Sequence, residues 1–272
     1  MSRTYEKKIK LIATDLDGTL LGNDGKIPAR NVSALREAIA SGVYVTISTG
    51  RMFASTRRFA AEIGIDIPLI CYNGAMMRHP DGTTLSHQPL DMDAALQLLT
   101  IFRERRIYVQ SYIDDALYIE DAQDEHFQNY LKHFRIDGDA VGEALYRPQT
   151  PPTKLLAMMD DAESSRALAD ELRRDFGDRV YITGSNIDFV EMMNPNVNKG
   201  RSLEMLAQTL GIGMDEVMAL GDGENDLEML ARAGLGVAPA NARDRVKKVA
   251  ADVGPANSES FVAWATEKYA LA

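Results

Sequence analysis

Two aspartates, Asp15 and Asp17, close the apolar run "KLIATDLDG" with only Leu16 between them, and Thr19 follows at once. Alternate residues of an extended chain share a side, so the two carboxylates face the same way and repel each other. A second acidic cluster, "GDGEND", holds Asp222, Asn225 and Asp226. Far from both in the chain stand Thr49 and Gly50 in "STGR", Asn73 in "YNG" and Lys199 in "NVNKG". Clustered carboxylates without His or Cys partners suit a hard cation, Mg2+ above all, which takes a few protein oxygens and keeps several waters. A hydroxyl, glycine-opened backbone amides and an ammonium suit phosphate oxygens. The set points to Mg2+-assisted phosphoryl transfer, in which positioning and charge neutralisation supply most of the catalysis.

Each group has an ordinary explanation when taken alone: a surface D-x-D pair, a glycine turn, a solvated lysine, a polar N-cap. The argument rests on the elements that bring them to one place. "IKLIAT" predicts a buried strand, "PARNVSALREAIASG" a helix stopped at Gly42, and "VYVTIST" a second strand. A helix closed by Gly64 and a third strand, "PLICYNG", follow. This alternation predicts a parallel sheet with helices on its faces. From about residue 83 the rhythm changes. Helices over "AALQLLTIFRERR", "EHFQNYLKHF" and "ESSRALADELRRDFG" mix with strand pairs of antiparallel type, and Asp114 and Asp115 mark a hairpin turn. "EALYRPQTPPT" reads as an extended connector. Alternation returns near Asn196 with helix "KGRSLEMLAQTLG", strand "VMALG", helix "NDLEMLARAG", strand "LGVA" and two terminal helices. The reading is an α/β core over 1–82 and 197–272, interrupted by an α+β unit over 83–196. In open α/β sheets ligands bind beyond the carboxyl ends of the strands, and every group named above falls at such an end or at a helix start beside it.

Composition sets the outer bounds. The chain has 272 residues, 45% hydrophobic and 26% charged, as in ordinary globular proteins. A formal charge of -10 speaks against nucleic acid as a partner. No apolar run reaches the roughly 20 residues that cross a bilayer, and the charged N-terminus lacks a signal-peptide core, so a cytoplasmic location is expected. Cys71 is the only cysteine, which excludes an internal disulfide and a thiolate cluster, and it reads as a small core residue. His79, His87, His126 and His133 fall in or beside the insertion, away from the acidic clusters. Neither cluster fits a calcium loop, and no Walker or dinucleotide-binding glycine motif is present.

"DLDGTLL", "STGR", "NKG" and "GDGENDLEML" resemble, in order, the four motifs of the haloacid dehalogenase-like (HAD) phosphatases. The position of the insertion resembles the Cof-type branch, whose cap follows the second motif. This resemblance implies a Rossmann-like parallel-sheet core with an inserted α+β cap, acting as a lid, and hydrolysis of small phosphorylated metabolites, sugar phosphates foremost. Carried onto this chain, it implies that Asp15 is the nucleophile forming an aspartyl-phosphate, and that Asp17 is the general acid and then the base. Asp15, the backbone carbonyl of Asp17, and Asp222 would hold Mg2+, with Asp226 supporting its water shell. Leu16, Thr49, Gly50, Asn73, Lys199 and Asn225 would contact phosphate or substrate, Asn225 alternatively orienting Lys199. One segment departs from the family pattern, "GVAPANA" in place of the commoner "GVAMGNA". It lies beyond the fourth motif.

The proposed roles ask for different environments. Asp15 should be short, rigid and ionised for in-line attack, and Asp17 should be able to hold a proton. Two alternatives share these motifs or most of them: a phosphomutase, and a phosphometabolite-binding regulator without turnover. The sequence is silent on oligomeric state.

Overall fold

The first strand is apolar up to its last residue, Thr14, and its neighbours explain why. The computed structural model describes residues 8–134, 136–184 and 186–272. Residues 1–7 of the charged N-terminal stretch, position 135 after the "EHFQNYLKHF" run and Ser185 at the end of "VYITGS" lie outside the described set. Strand β1 (Leu11–Thr14) runs between β2 (Tyr44–Ile47) and β12 (Val217–Leu220), parallel to both. Strands β13 (Leu235–Ala238) and β14 (Asp252–Val253) extend the sheet to the order β14-β13-β12-β1-β2. All pairings in it are parallel, and all four residues of β1 are buried. A strand covered on both faces reads as a continuous apolar run. From β1 the chain winds outward to β2, and on its return fills the other side through β12. That reversal of strand order makes the carboxyl ends of β1 and β12 the switch point of the sheet, where open α/β folds bind ligands.

The third core strand departs from the parallel expectation. Strand β3 (Leu69–Cys71) meets the end of β2 through a single parallel bridge, Ser48 to Ile70, with Thr49 N donating to Ile70 O at 2.8 Å. It then pairs antiparallel with β4 (Met76–Arg78), and β5 (Thr84–His87) completes a three-stranded sheet. The turn between β3 and β4 produces the antiparallel pairing. Tyr72, Asn73 and Gly74 all have positive φ, at 51°, 53° and 102°, and this left-handed run folds the chain back so that Cys71 faces Met76. Cys71 is fully buried. The core helices are α1 (Ala29–Ala40), α2 (Phe53–Ile63), α6 (Lys199–Thr209), α7 (Leu227–Arg232), α8 (Asp244–Val249) and α9 (Phe261–Tyr269).

Residues up to Ser86 with Asn198–Ala272 form one compact unit, and His87–Val197 form the other. The division comes a few residues later than the change of rhythm at 83, because β5 belongs with β3 and β4.

In the second unit the sheet order is β10-β11-β9-β6-β7-β8, from β6 (Val109–Ile113), β7 (Ala116–Ile119), β8 (Asp139–Ala140), β9 (Lys154–Met158), β10 (Tyr181–Thr183) and β11 (Phe189–Met193). Its pairs are antiparallel except β7 with β8. Asp114 and Asp115, at φ 51° and 64°, form the tight turn between β6 and β7, whose twist suits a two-residue hairpin. Alternate residues Val109, Leu155, Ala157, Val190 and Met192 pack with Leu98, Leu99 and Phe102 of α3 (Met92–Arg105) and Leu168 and Leu172 of α5 (Ala162–Phe176). The opposite set carries Gln110, Tyr112, Lys154 and Glu191, with a buried Lys154–Glu191 ion pair at 3.0 Å. Helix α4 (Glu125–Phe134) supplies two further buried aromatics, Phe127 and Tyr130. The proline-rich connector is not extended throughout: Gly142–Tyr146 makes a short 3-10 turn before the chain straightens into β9. Among the described residues no helix is long and apolar enough to cross a membrane.

Candidate active site

The end of β1 delivers Asp15 into the switch point almost fully enclosed, 5% exposed. Asp15 N donates to Leu220 O at 2.9 Å, which ties the first acidic loop to the end of β12. The loop over Leu16–Leu20 then coils tightly, with Leu20 N donating to Asp15 O and Leu21 N to Leu16 O. Gly18 takes φ +77°, and a Cβ there would lie 2.4 Å from Asp222 Oδ2. Only glycine permits both that conformation and the close approach of the second acidic loop. Thr19, fully buried, donates from Oγ1 to Asp222 Oδ1 at 2.7 Å and so orients that carboxylate.

Lys199 opens α6 behind the cap residue Asn198, whose side chain accepts from Arg201 N. Its ammonium has no exposed surface and bridges Asp15 Oδ1 and Asp226 Oδ1, at 2.6 Å each. The other oxygen of Asp226 accepts from Asp222 N at 3.0 Å and Gly223 N at 2.9 Å. That double acceptance tightens Glu224–Asp226 into a 3-10 turn, so α7 starts at Leu227 and not at the Asn225 of the sequence reading. Asp15, Asp222 and Asp226 each offer a carboxylate oxygen, and these lie within 4.8 Å of one another.

Burial pushes the Asp15 carboxyl well above the usual carboxylate range; Lys199 acts against this, while Asp226 and Asp222 add to it. Asp222 is pushed up to about 7, by burial first and then by the charge of Asp226. Burial works against the Lys199 ammonium, but the charges of Asp15 and Asp226 outweigh it and hold its pKa above the ordinary lysine value. Three carboxylates thus face one ammonium in an enclosed space. An all-oxygen donor set with surplus negative charge fits a hard divalent cation such as Mg2+.

A second chain of contacts runs along the same sheet edge. Thr49, buried, accepts at Oγ1 from Arg51 N at 3.2 Å, and its carbonyl accepts from Asn73 N at 2.9 Å. A Cβ on Gly50 would stand 3.1 Å from Asn73 Oδ1, which places the Gly50 backbone against the Asn73 amide. Asn225 donates from Nδ2 to Asn73 Oδ1 at 2.9 Å. Lys199 is therefore oriented by Asp226, and Asn225 holds Asn73. Because Asn225 and Asp226 are adjacent, the turn joins the two chains of contacts. Leu16 is wholly buried beneath the loop.

Asp17 has a different setting. Its side chain is about half exposed, at 49%, and both its oxygens accept from Arg51, at 2.7 and 2.5 Å. In this bidentate pair both carboxylate oxygens are engaged as acceptors of charge-assisted hydrogen bonds. Arg51 was legible as the last letter of "STGR", two residues beyond Thr49, yet the motif alone does not say where its guanidinium points. Asn241 matches the asparagine of the family's "GVAMGNA" pattern, but that pattern does not say what it contacts: it donates to Gly18 O at 2.8 Å across 223 positions of chain. Among the histidines, His87, His126 and His133 belong to the second unit, and His79 Nδ1 lies 3.4 Å from Asp66 O.

The haloacid dehalogenase-like hydrolase family model matches residues 12–265. The 5-amino-6-(5-phospho-D-ribitylamino)uracil phosphatase YitU of Bacillus subtilis (strain 168) is 30% identical over 270 residues, covering 97% of this chain and 98% of that one. A chloroplastic endoribonuclease of Arabidopsis thaliana, YBEY, is 30% identical over 282 residues, and this chain spans 48% of its length. Among solved structures, a haloacid dehalogenase-like hydrolase from Bacteroides thetaiotaomicron superposes with a TM-score of 0.86 at 27% identity, over 96% of this chain and 99% of that one. A protein of Thermotoga maritima superposes with a TM-score of 0.82 at 30% identity, over 96% and 97%. The chain belongs to the haloacid dehalogenase-like hydrolases and, within them, to the Cof-type phosphatases.

Proposed function

We propose that the chain is a Mg2+-dependent phosphatase of small phosphorylated metabolites, sugar phosphates foremost, with Asp15 as the nucleophile. The observation that carries this reading is the Lys199 ammonium bridging Asp15 and Asp226 inside an enclosed, all-oxygen cluster. An Asp15 oxygen attacks phosphorus in line, and the bond to the leaving alkoxide breaks as that oxygen takes a proton from Asp17. Water then attacks the aspartyl-phosphate, Asp17 accepts its proton, and Asp15 is regenerated as inorganic phosphate leaves. Lys199 balances charge on the nucleophile throughout, and Thr49, the Gly50 and Leu16 amides, Asn73 and Asn225 bind or brace the phosphoryl oxygens. Asp15, the Asp17 carbonyl and Asp222 would hold Mg2+, with Asp226 supporting its water shell, and the chemistry the ion would supply there is charge neutralisation. For Asp17 to act on the proton, its pair with Arg51 has to open, so arrival of substrate and release of Asp17 are coupled events in this reading.

The relatives named for 5-amino-6-(5-phospho-D-ribitylamino)uracil extend the substrate panel from sugar phosphates to phosphorylated sugar alcohols. The test is phosphate release from p-nitrophenyl phosphate, and then from such a panel, in Mg2+ and in EDTA. Turnover that needs Mg2+ and is lost in Asp15→Asn supports the mechanism. Turnover indifferent to EDTA, or intact in Asp15→Asn, overturns it.

A further inference from the structure

The "GVAPANA" segment makes contacts that the proposed chemistry leaves unused. Asn241 Nδ2 donates to Gly18 O at 2.8 Å, and two residues later Arg243 N donates to Asp222 O at 3.3 Å. One short segment thus grips a backbone carbonyl on each of the two acidic loops. It is itself anchored: Asn257 N donates to Asn241 Oδ1 at 2.9 Å, and Asn257 Nδ2 donates to Leu21 O at 2.8 Å, at the far end of the first loop. Ala240 N donates to Pro255 O at 3.1 Å and fixes the segment against the chain that follows β14.

The first loop needs such an outside brace. Leu16 O accepts from Leu21 N within the loop, and Gly18 O accepts from Asn241. The two carbonyls flanking that of Asp17 are therefore both tied, and the Asp17 peptide between them is held in one orientation. Gly18, at φ +77°, is the residue about which this peptide would otherwise turn, having no side chain to resist. On the other side, the Asp222 carboxylate is set by Thr19 and its carbonyl by Arg243 N.

We infer that Asn241 is a positioning residue for the cation site: through Gly18 O it fixes the Asp17 carbonyl and keeps the first acidic loop in register with Asp222. Its side-chain hydrogen bonds are to Gly18 O and Asn257 N, not to the three carboxylates. The inference rests on the Mg2+ reading above. A single neutral hydrogen bond at a solvent-exposed amide sets the expected size, about a three- to tenfold change in Mg2+ affinity.

The experiment is calorimetric titration of MgCl2 into the full-length protein without substrate, for wild type, Asn241→Ala and Asn241→Ser, with each melting temperature measured in EDTA. The expected result is Mg2+ binding weakened about three- to tenfold in the alanine variant, with its melting temperature in EDTA within about 2 °C of wild type. The serine variant, which keeps a short donor, should recover part of the affinity. In turnover, the half-saturating Mg2+ concentration should rise while kcat at saturating Mg2+ stays near wild type. Unchanged Mg2+ affinity in both variants overturns the inference. So does a loss of affinity matched by a loss of stability in EDTA, or failure of both variants to fold, because the contact then serves the fold alone. Absence of Mg2+ binding by the wild type would instead overturn the Mg2+ reading itself.

Discussion

Replacing Lys199 by Met keeps the length of the side chain and removes its charge, which isolates what the ammonium does. Lys199 has no exposed surface, and the carboxylates it joins are nearly as enclosed, with side-chain exposures of 7% for Asp15 and 1% for Asp226. Without the ammonium, two carboxylates face each other in a space closed to water. Breaking a buried ion pair by removing one partner costs about 3–5 kcal/mol, because the survivor is left uncompensated. At a urea dependence of about 3 kcal/mol per molar, that cost moves the unfolding midpoint down by roughly 1–2 M. Trp264, the only tryptophan of the sequence, lies in α9 of the unit that carries the site, so its fluorescence reports that unit's unfolding selectively. The titration belongs in EDTA, since a cation at a hundred times its Kd would add about 2.7 kcal/mol and mask the effect. Asp226→Asn in the Lys199→Met background removes one of the opposed charges and should recover at least half of the lost midpoint. A Lys199→Met midpoint within about 0.3 M of wild type in EDTA would refute the reasoning, for the ammonium would then compensate no buried charge.

Gly18→Ala forces a side chain into φ +77° and against Asp222, so it should cost about 1–3 kcal/mol in the same urea titration and lower Mg2+-dependent phosphate release at least tenfold. An alanine variant with wild-type Mg2+ dependence would show that the two loops do not need their close approach. At the far edge of the sheet, Asp252 accepts from Tyr269 Oη and from Lys268 Nζ. Burial acts to raise its pKa, but these bonds and that from Val253 N outweigh it and hold the carboxyl below its ordinary value. A depressed acid contributes stability above its unfolded pKa of about 3.9, and that contribution is lost as the pH falls through the lower folded value. Asp252→Asn should therefore melt slightly lower than wild type at pH 7, by less than about 1 kcal/mol for so exposed a group, and the gap should close below about pH 4. A gap that stays constant between pH 7 and 3 would assign the difference to packing.

Much of the architecture was legible because the relevant signals are local. Strand-then-helix alternation follows from the spacing of apolar residues over a dozen positions, and the tight turn at Asp114 and Asp115 from its two residues. Asp15, Asp17, Thr49, Lys199 and Asp222 were marked by short motifs, each at the end of a predicted strand or the start of a predicted helix. What the sequence could not carry was direction. Asp226 reads as one more acid in "GDGEND", but its two oxygens are divided between Lys199 and the backbone of its own turn. Asn225 reads as equally able to reach phosphate or Lys199, and it turns to Asn73, 152 positions away. Strand β3 carries the apolar pattern of a core strand, yet it meets β2 by a single parallel bridge, and the left-handed run at Tyr72–Gly74 folds the chain back so that β4 pairs with it antiparallel.

The sequence by itself determined which chemical groups exist and which sheet edge they share, since periodicity and motif spacing are properties of neighbouring residues. Only the tertiary structure decided which groups meet. Arg51 closes on Asp17, Asn241 on Gly18, and Lys199 on Asp15 across 184 positions. A hydrogen bond needs its partners within about 3 Å and aligned, and that condition is set by the packing of whole elements, not by the residues on either side.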